Sequence, residues 1–324
     1  MGERLQRILT ERQGSFVSGE EIAARLGISR AAVWKRVRSL RGEGYAIEGA
    51  RGAGYRLTGE PDRFTEARLR ARLRPGGPWN AFSFLDVTDS TNNRAMEMAE
   101  NGAPHGTVVC SDAQTGGRGR LGRRWVSPPG KNVYISLLLR PDIPAAEAPR
   151  LSLAAGVALA DALEGMGVPA ALKWPNDLYL GDRKAAGILG EMASDPDRVR
   201  HVVIGVGINV NMEANDFPPE ISGKATSLRL RAGRPFPRAE VLARFLEAFA
   251  DRYEEFLAGG FAALHDGWDR RDFLRGRRVL LRRRGGEEWG VAEGVDGDGA
   301  LRFRPDGAAA ADGVHSGEIL EFQR

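Results

Sequence analysis

The sequence predicts an α+β chain in three parts: an N-terminal winged helix-turn-helix, a central mixed-sheet α/β domain and a C-terminal small antiparallel barrel. Three observations predict this. The first sixty residues read helix, tight turn, helix, hairpin, and they hold eleven Lys or Arg against seven acids. That excess of four equals the net charge of the whole chain. The middle then alternates short strands with one helix, and the carboxyl end changes to short runs separated by Asp-Gly and Pro-Asp-Gly turns. The expected domains span 1–60, 66–262 and 274–324, which suits a chain of 324 residues.

Composition narrows the class. Hydrophobic residues make up 42% and charged residues 28%, the balance of a folded globular chain. No apolar run reaches membrane-spanning length, and "MGERLQRILT" lacks the pattern of a signal peptide, so a cytoplasmic protein with no membrane partner is expected. One cysteine, Cys110, excludes an internal disulfide framework, and four scattered histidines give no cluster at metal-ligand spacing. Cys110 reads as a small buried residue.

At the amino end, Ser18 with Glu21 three residues on has capping-box spacing, and Ile22, Ala23 and Leu26 form an apolar stripe that Gly27 terminates. Ser29 is placed to cap a second helix. Its Ala32, Val33, Val37 and Leu40 face inward, while Arg30, Lys35, Arg36 and Arg38 face out. Gly42 and Gly44 lead into two short strands, "YAIEG" and "GYRL", whose glycine-rich tip carries Arg51. This is a wing. Basic second helix, wing and local charge together point to DNA, with Ser29, Arg30, Lys35, Arg36, Arg38 and Arg51 as the contact candidates and two copies on a two-fold site.

A linker is expected over 58–66. Beyond it come a strand at 82–87, a helix to Ala99 opened by "TDSTNN", and a second strand "GTVVCSDAQ". The loop "TGGRGRLGRRW" follows, and its Gly117, Gly119 and Gly122 imitate a dinucleotide-binding turn. That fingerprint needs a helix directly after the glycines, because the helix amino end holds the pyrophosphate. Here Pro128 and Pro129 forbid one, so the dinucleotide reading fails. No phosphate loop of the GxxxxGK[ST] kind occurs either. Glycines with Arg118, Arg120, Arg123 and Arg124 make a flexible cationic loop able to close over a phosphate or carboxylate. Trp125 offers a flat face to a ring.

Two more strings add to this. "ALKWPNDLYLGDRKAAGILGEM" sets Lys184 beside Ala185, Ala186 and Gly187, where a ligand can approach backbone and ammonium together. "HVVIGVGINVNM" is an apolar strand ending in glycines and asparagines. In order, "DSTNN", "GRGRLGRRW", "KWPNDLY", "RKAAGILGE" and "GVGINV" resemble the catalytic domain of biotin–protein ligases. With the winged helix in front, the chain resembles the bifunctional members of that family, which also repress biotin synthesis genes.

The resemblance implies a central domain of the biotin/lipoate ligase type and an SH3-like barrel after it. It implies that biotin and ATP, with Mg²⁺, form biotinyl-5′-AMP, and that biotin then passes to one lysine of a biotin carboxyl carrier protein. It implies a homodimer on a DNA operator, with the adenylate as corepressor. Carried over by motif, Ser90, Thr91, Asn92 and Gln114 line the biotin pocket, with Gly117, Gly119, Gly187, Gly205 and Gly207 in its walls. Arg118, Arg120 and Lys184 touch biotin and are the catalytic candidates. Trp125, Arg123, Asn176 and Asn209 fall to the nucleotide. Asp177 either binds Mg²⁺ or caps a turn. Two rivals stay open, a lipoate-type ligase and a repressor that senses biotin without ligase activity.

The long segment from 238 to 258 reads as an amphipathic scaffold helix. "VLLRRR", "LRFR" and "GEILEF" read as barrel strands around the turns "DGDG" and "PDG".

Overall fold

A computed structural model of the full chain describes every residue except 1, 13, 43, 44, 60, 61, 63, 64, 196, 197 and 324. Gly44 and part of the expected linker therefore lie outside the described residues. The chain divides into two compact units, Met1–Arg63 and Phe64–Arg324.

The first unit holds α1 (Gly2–Glu11), α2 (Gly19–Leu26), α3 (Arg30–Gly42), β1 (Ala46–Ala50) and β2 (Gly54–Gly59). Ser18 Oγ accepts from the Glu21 amide at 3.0 Å and Ser29 Oγ from the Ala32 amide at 3.2 Å. Gly27 ends α2 at φ 65°, a left-handed conformation that favours glycine. Val33, Val37 and Leu40 enter a core with Leu5, Ile22 and Leu57. The helix α1 closes that core and went unread in the sequence. β1 and β2 pair antiparallel as the wing, and a bridge between Val17 and Tyr55 ties β2 to the chain before α2.

The second unit is built on a seven-stranded sheet of order β3-β4-β5-β9-β8-β7-β6. Its strands are β3 (Ala81–Thr88), β4 (Thr107–Gln114), β5 (Val133–Leu139), β6 (Ala171–Lys173), β7 (Asp177–Leu180), β8 (Arg183–Ser194) and β9 (Val199–Ile208). A short α4 (Glu66–Arg70) precedes the sheet, and α5 (Thr91–Glu100) is the crossover between the parallel pair β3 and β4. The other pairs are antiparallel.

Strand alternation divides the two faces. Val108 and Cys110, Ile135 and Leu137, and Ile204 and Val206 pack into the main core with α6 (Leu151–Glu164). Short α7 (Pro219–Ser222) and α8 (Leu228–Ala232) precede α9 (Arg238–Gly259), which joins that core, as does Trp268 of α10 (His265–Asp269). Val109, Leu138 and Val203 point the other way and meet Ala95 and Ala99 of α5. Farther along this second face, β9 offers Gly205 and Gly207 where side chains would stand, and a cavity opens there.

The carboxyl end adds β10 (Arg278–Arg283), β11 (Gly286–Val295), β12 (Leu301–Pro305), β13 (Asp312–Val314) and β14 (Glu318–Phe322). They form an antiparallel sheet of order β13-β12-β11-β10-β14, and the described edge strands β13 and β14 do not pair to close it. The sequence reading passed over β11, the longest of them. Buried Trp174 donates from Nε1 to the Gly299 carbonyl at 3.2 Å and so fastens this sheet to the larger one.

Candidate functional site

The cavity holds about 870 Å³, within the range of small-molecule sites. All the residues expected on the biotin and nucleotide sides line it except Gly117, as do Lys184 and Asp177. Its floor is uncharged. Thr91, opening α5, donates from its amide to Gln114 Oε1 at 2.9 Å, and Gln114 Nε2 donates to Ser127 Oγ at 3.0 Å. Ser136, buried on β5, bonds Thr91 Oγ1 at 2.8 Å and Asn92 Oδ1 at 2.6 Å. Ser90 stands at the amino end of α5 and makes no capping bond with its side chain, so its hydroxyl is left to the cavity.

Asn92 is committed. Its Nδ2 donates to the Leu189 carbonyl at 3.2 Å and to Glu191 Oε2 at 2.7 Å. Arg118 Nη2 reaches the same Glu191 oxygen at 2.8 Å, so one carboxylate joins the floor to the glycine-arginine loop. That loop folds on itself. Gly119 donates to the Arg123 carbonyl at 2.7 Å and Trp125 to the Gly117 carbonyl at 2.8 Å. Gly117 is fixed by proximity, since a Cβ there would come within 2.6 Å of the Trp125 carbonyl oxygen. At the tip, Leu121 takes φ 56°, a left-handed conformation that costs a leucine about 1 kcal/mol or more.

The mouth is cationic. Arg120 Nη2 donates to the Gly317 carbonyl at 3.1 Å, its Nη1 approaches Asn176 Oδ1 at 3.5 Å, and Arg123 pairs with Glu318 of β14. Lys184 Nζ forms an ion pair with Asp177 Oδ1 at 2.6 Å and stands 5.4 Å from the centroid of the Trp125 ring. That ring rests on two glycines. A Cβ at Gly207 would approach its atoms to 2.6 Å, and one at Gly187 to 3.1 Å. These glycines seat the indole, and Gly205 makes the same room for Asn92, whose Oδ1 a Cβ would meet at 2.0 Å. Asn209 is occupied structurally, donating from Nδ2 to the Thr226 carbonyl at 3.1 Å.

Sequence reading missed Ser136, Glu191, Glu318 and Lys173. The lone serine in the apolar run "VYISLLL" was a usable signal for Ser136. Nothing local marked Glu318, which β14 brings in from the far end of the chain. Burial pushes the Cys110 thiol up, so it is inert. In the first unit, Arg30, Lys35, Arg38 and Arg51 are exposed, Arg36 is half-buried and Ser29 serves as a helix cap. Trp34 is also exposed, with the Arg38 guanidinium 5.6 Å from its ring centroid.

A winged helix-turn-helix in one chain with a mixed sheet whose cavity has a polar floor and a cationic mouth defines a class: an enzyme for small anionic ligands joined to a DNA-binding module. Residues 84–209 match the biotin/lipoate A/B protein ligase family, and residues 3–56 match an HTH domain. The chain is 41% identical over 298 residues to the bifunctional ligase/repressor BirA of Bacillus subtilis, covering 92% of each. It is 35% identical over 295 residues to BirA of Escherichia coli, covering 91% of this chain and 90% of that one. The structure of the biotin protein ligase from Aquifex aeolicus in complex with biotin and ATP shares 30% identity at a TM-score of 0.65. It covers 76% of this chain and 99% of that one. The chain belongs to the biotin–protein ligase family, with the bifunctional ligase/repressors. No described helix is long and apolar enough to cross a membrane.

Proposed function

We propose that the protein joins biotin to ATP as biotinyl-5′-AMP, passes the biotinyl group to a lysine of a biotin carboxyl carrier protein, and represses biotin genes as a DNA-bound homodimer with that adenylate as corepressor. In this reading residues 1–60 bind the operator, 66–262 carry the ligase site and 274–324 complete its mouth. One observation carries it. A single cavity of about 870 Å³ runs from an uncharged floor, suited to a ureido ring, to a mouth of cations suited to phosphates.

Ser90, Thr91 and Gln114 offer the floor its hydrogen bonds, and Asn92 holds the floor in shape. Biotin's carboxylate and the α-phosphate are both anions and repel. Arg118, Arg120 and Lys184 offset that repulsion, and one aligned donor to developing charge is worth about 3 kcal/mol of barrier. Trp125 is the stacking face for adenine. Asp177, whose Oδ1 is buried, would offer a Mg²⁺ one carboxylate. That ion, when bound, neutralises charge on the phosphates. Sites for ATP, a carrier protein and DNA in one chain fit a cytoplasmic protein.

Biotin-dependent exchange of pyrophosphate into ATP tests the first half directly. Exchange with biotin and none with lipoate is expected. Exchange with lipoate alone turns the reading to the lipoate class, and none with either leaves only a sensor.

A further inference from the structure

Lys173 is a cation of the cavity lining outside the expected site residues. Lys173 ends β6 and is only 7% exposed, yet it lines the cavity. Four of its neighbours there are partnered: Lys184 by Asp177, Arg123 by Glu318, Arg118 by Glu191 and Arg120 by the Gly317 carbonyl. Lys173 is not matched in this way. An ammonium has three donors, and among the described residues its one hydrogen-bond acceptor is the Ile319 carbonyl at the long distance of 3.5 Å, with the Tyr179 ring centroid 5.9 Å away. Asp177 attracts it, while Lys184, Arg123 and Arg120 repel it.

A buried ammonium short of acceptors is costly. A residue kept in that condition at the rim of a ligand site has donors to give to the ligand. Six other cations line this cavity, Arg118, Arg120, Arg123, Arg124, Lys184 and Lys224, so an anion that brings more oxygens than a carboxylate suits it.

We propose that Lys173 is the ligand of the leaving pyrophosphate. The inference rests on the adenylate-forming reading. An oxygen of the biotin carboxylate forms a bond to the α-phosphorus. The bond from that phosphorus to the oxygen bridging to the β-phosphate breaks, and the electron pair leaves with that oxygen as pyrophosphate. Charge therefore grows on the β-phosphate side, and the N–H groups of Lys173 donate to the oxygens that carry it there. In the second half, the carrier's lysine amine forms a bond to the biotinyl carbonyl carbon, loses a proton, and AMP departs on its own oxygen. No pyrophosphate is present, so Lys173 has no part in that half.

The halves can be assayed apart in the full-length protein. Lys173→Met keeps the apolar stem and removes the donors, and Lys173→Arg keeps a cation. For Lys173→Met, biotin-dependent exchange should fall about a hundredfold, as for the loss of one oriented donor to developing charge. KM for ATP should rise, with KM for biotin unmoved and inhibition by added pyrophosphate weakened. Transfer from synthetic biotinyl-5′-AMP to the carrier should stay within about threefold of the parent protein. Lys173→Arg should recover part of the exchange. Equal loss in both halves would overturn the proposal in favour of a purely structural lysine, and so would unchanged exchange and pyrophosphate inhibition. If the unsubstituted protein shows no exchange, the adenylate reading itself has failed.

Discussion

Lys184 of β8 reaches Asp177 of β7 with Nζ and Oδ1 2.6 Å apart, although the register sets Lys184 opposite Tyr179 and Asp177 opposite Gly187. The ammonium is thus oriented before any ligand arrives, which spares reorganisation during reaction. Lys184→Ala should keep the fold and lower biotin-dependent pyrophosphate exchange by about two to three orders of magnitude. Circular dichroism and the exchange assay check this together. Near-parental exchange would remove Lys184 from the chemistry.

Trp125 has no room to move toward β9. A methyl at residue 207 would stand inside the indole, so Gly207→Ala should displace the ring, cost about 1–3 kcal/mol of stability and raise KM for ATP more than KM for biotin. Denaturant midpoints and steady-state kinetics measure these two effects. An undisturbed KM for ATP would mean that Trp125 does not carry the adenine.

Arginines 118, 120, 123 and 124 make the loop an obvious trypsin substrate, and its tip carries the exposed, left-handed Leu121. Biotin with ATP should slow cleavage there. Leu121→Asn, which tolerates that conformation better, should slow cleavage even without ligand. Equal cleavage rates in all three cases would mean that the loop does not close.

Burial pushes Lys173 down to about 8 from an ordinary 10.5. Between these values the unfolded chain binds the proton that the folded protein has released, so folding stability should rise with pH there. Below about 8 both states are protonated and the difference is constant. Relative to Lys173→Met, the protein should therefore gain melting temperature from pH 8 toward 10.5, and bound pyrophosphate should move the onset upward. A flat difference would contradict the buried, poorly matched ammonium.

On the first unit, Arg30→Gln and Arg38→Gln should each weaken DNA binding at all sequences and reduce its salt dependence if they meet phosphates. Ligase activity should not change. A gel shift on the gene's own upstream region, with and without biotin and ATP, reads this. An altered sequence preference would instead place them on base edges.

Much of this was legible in the chain itself. The caps at Ser18 and Ser29, the wing and the alternating strands follow local rules, and the five ordered strings name the pocket. What escaped has physical causes. The helix α6 is buried along most of its length and so shows no amphipathic stripe to read. Gly187 and Gly207 read as walls of a ligand site and do line the cavity, but the sequence did not show that their bare backbone also makes room for Trp125, a contact between residues distant in sequence. Glu191 and Glu318 look like ordinary strand acids until the sheet and the carboxyl-terminal strands bring them to Arg118 and Arg123. Lys173 sits inside a motif, yet its lack of counter-charge appears only with the fold.

The central claim is that one cavity both activates biotin and gives it away. Incubating the protein with labelled biotin, ATP, Mg²⁺ and a carrier domain tests it most directly. Label should appear on the carrier's single acceptor lysine, require ATP, and be absent when lipoate replaces biotin. Pyrophosphate exchange without any label on the carrier, or no label under any condition, would contradict the account.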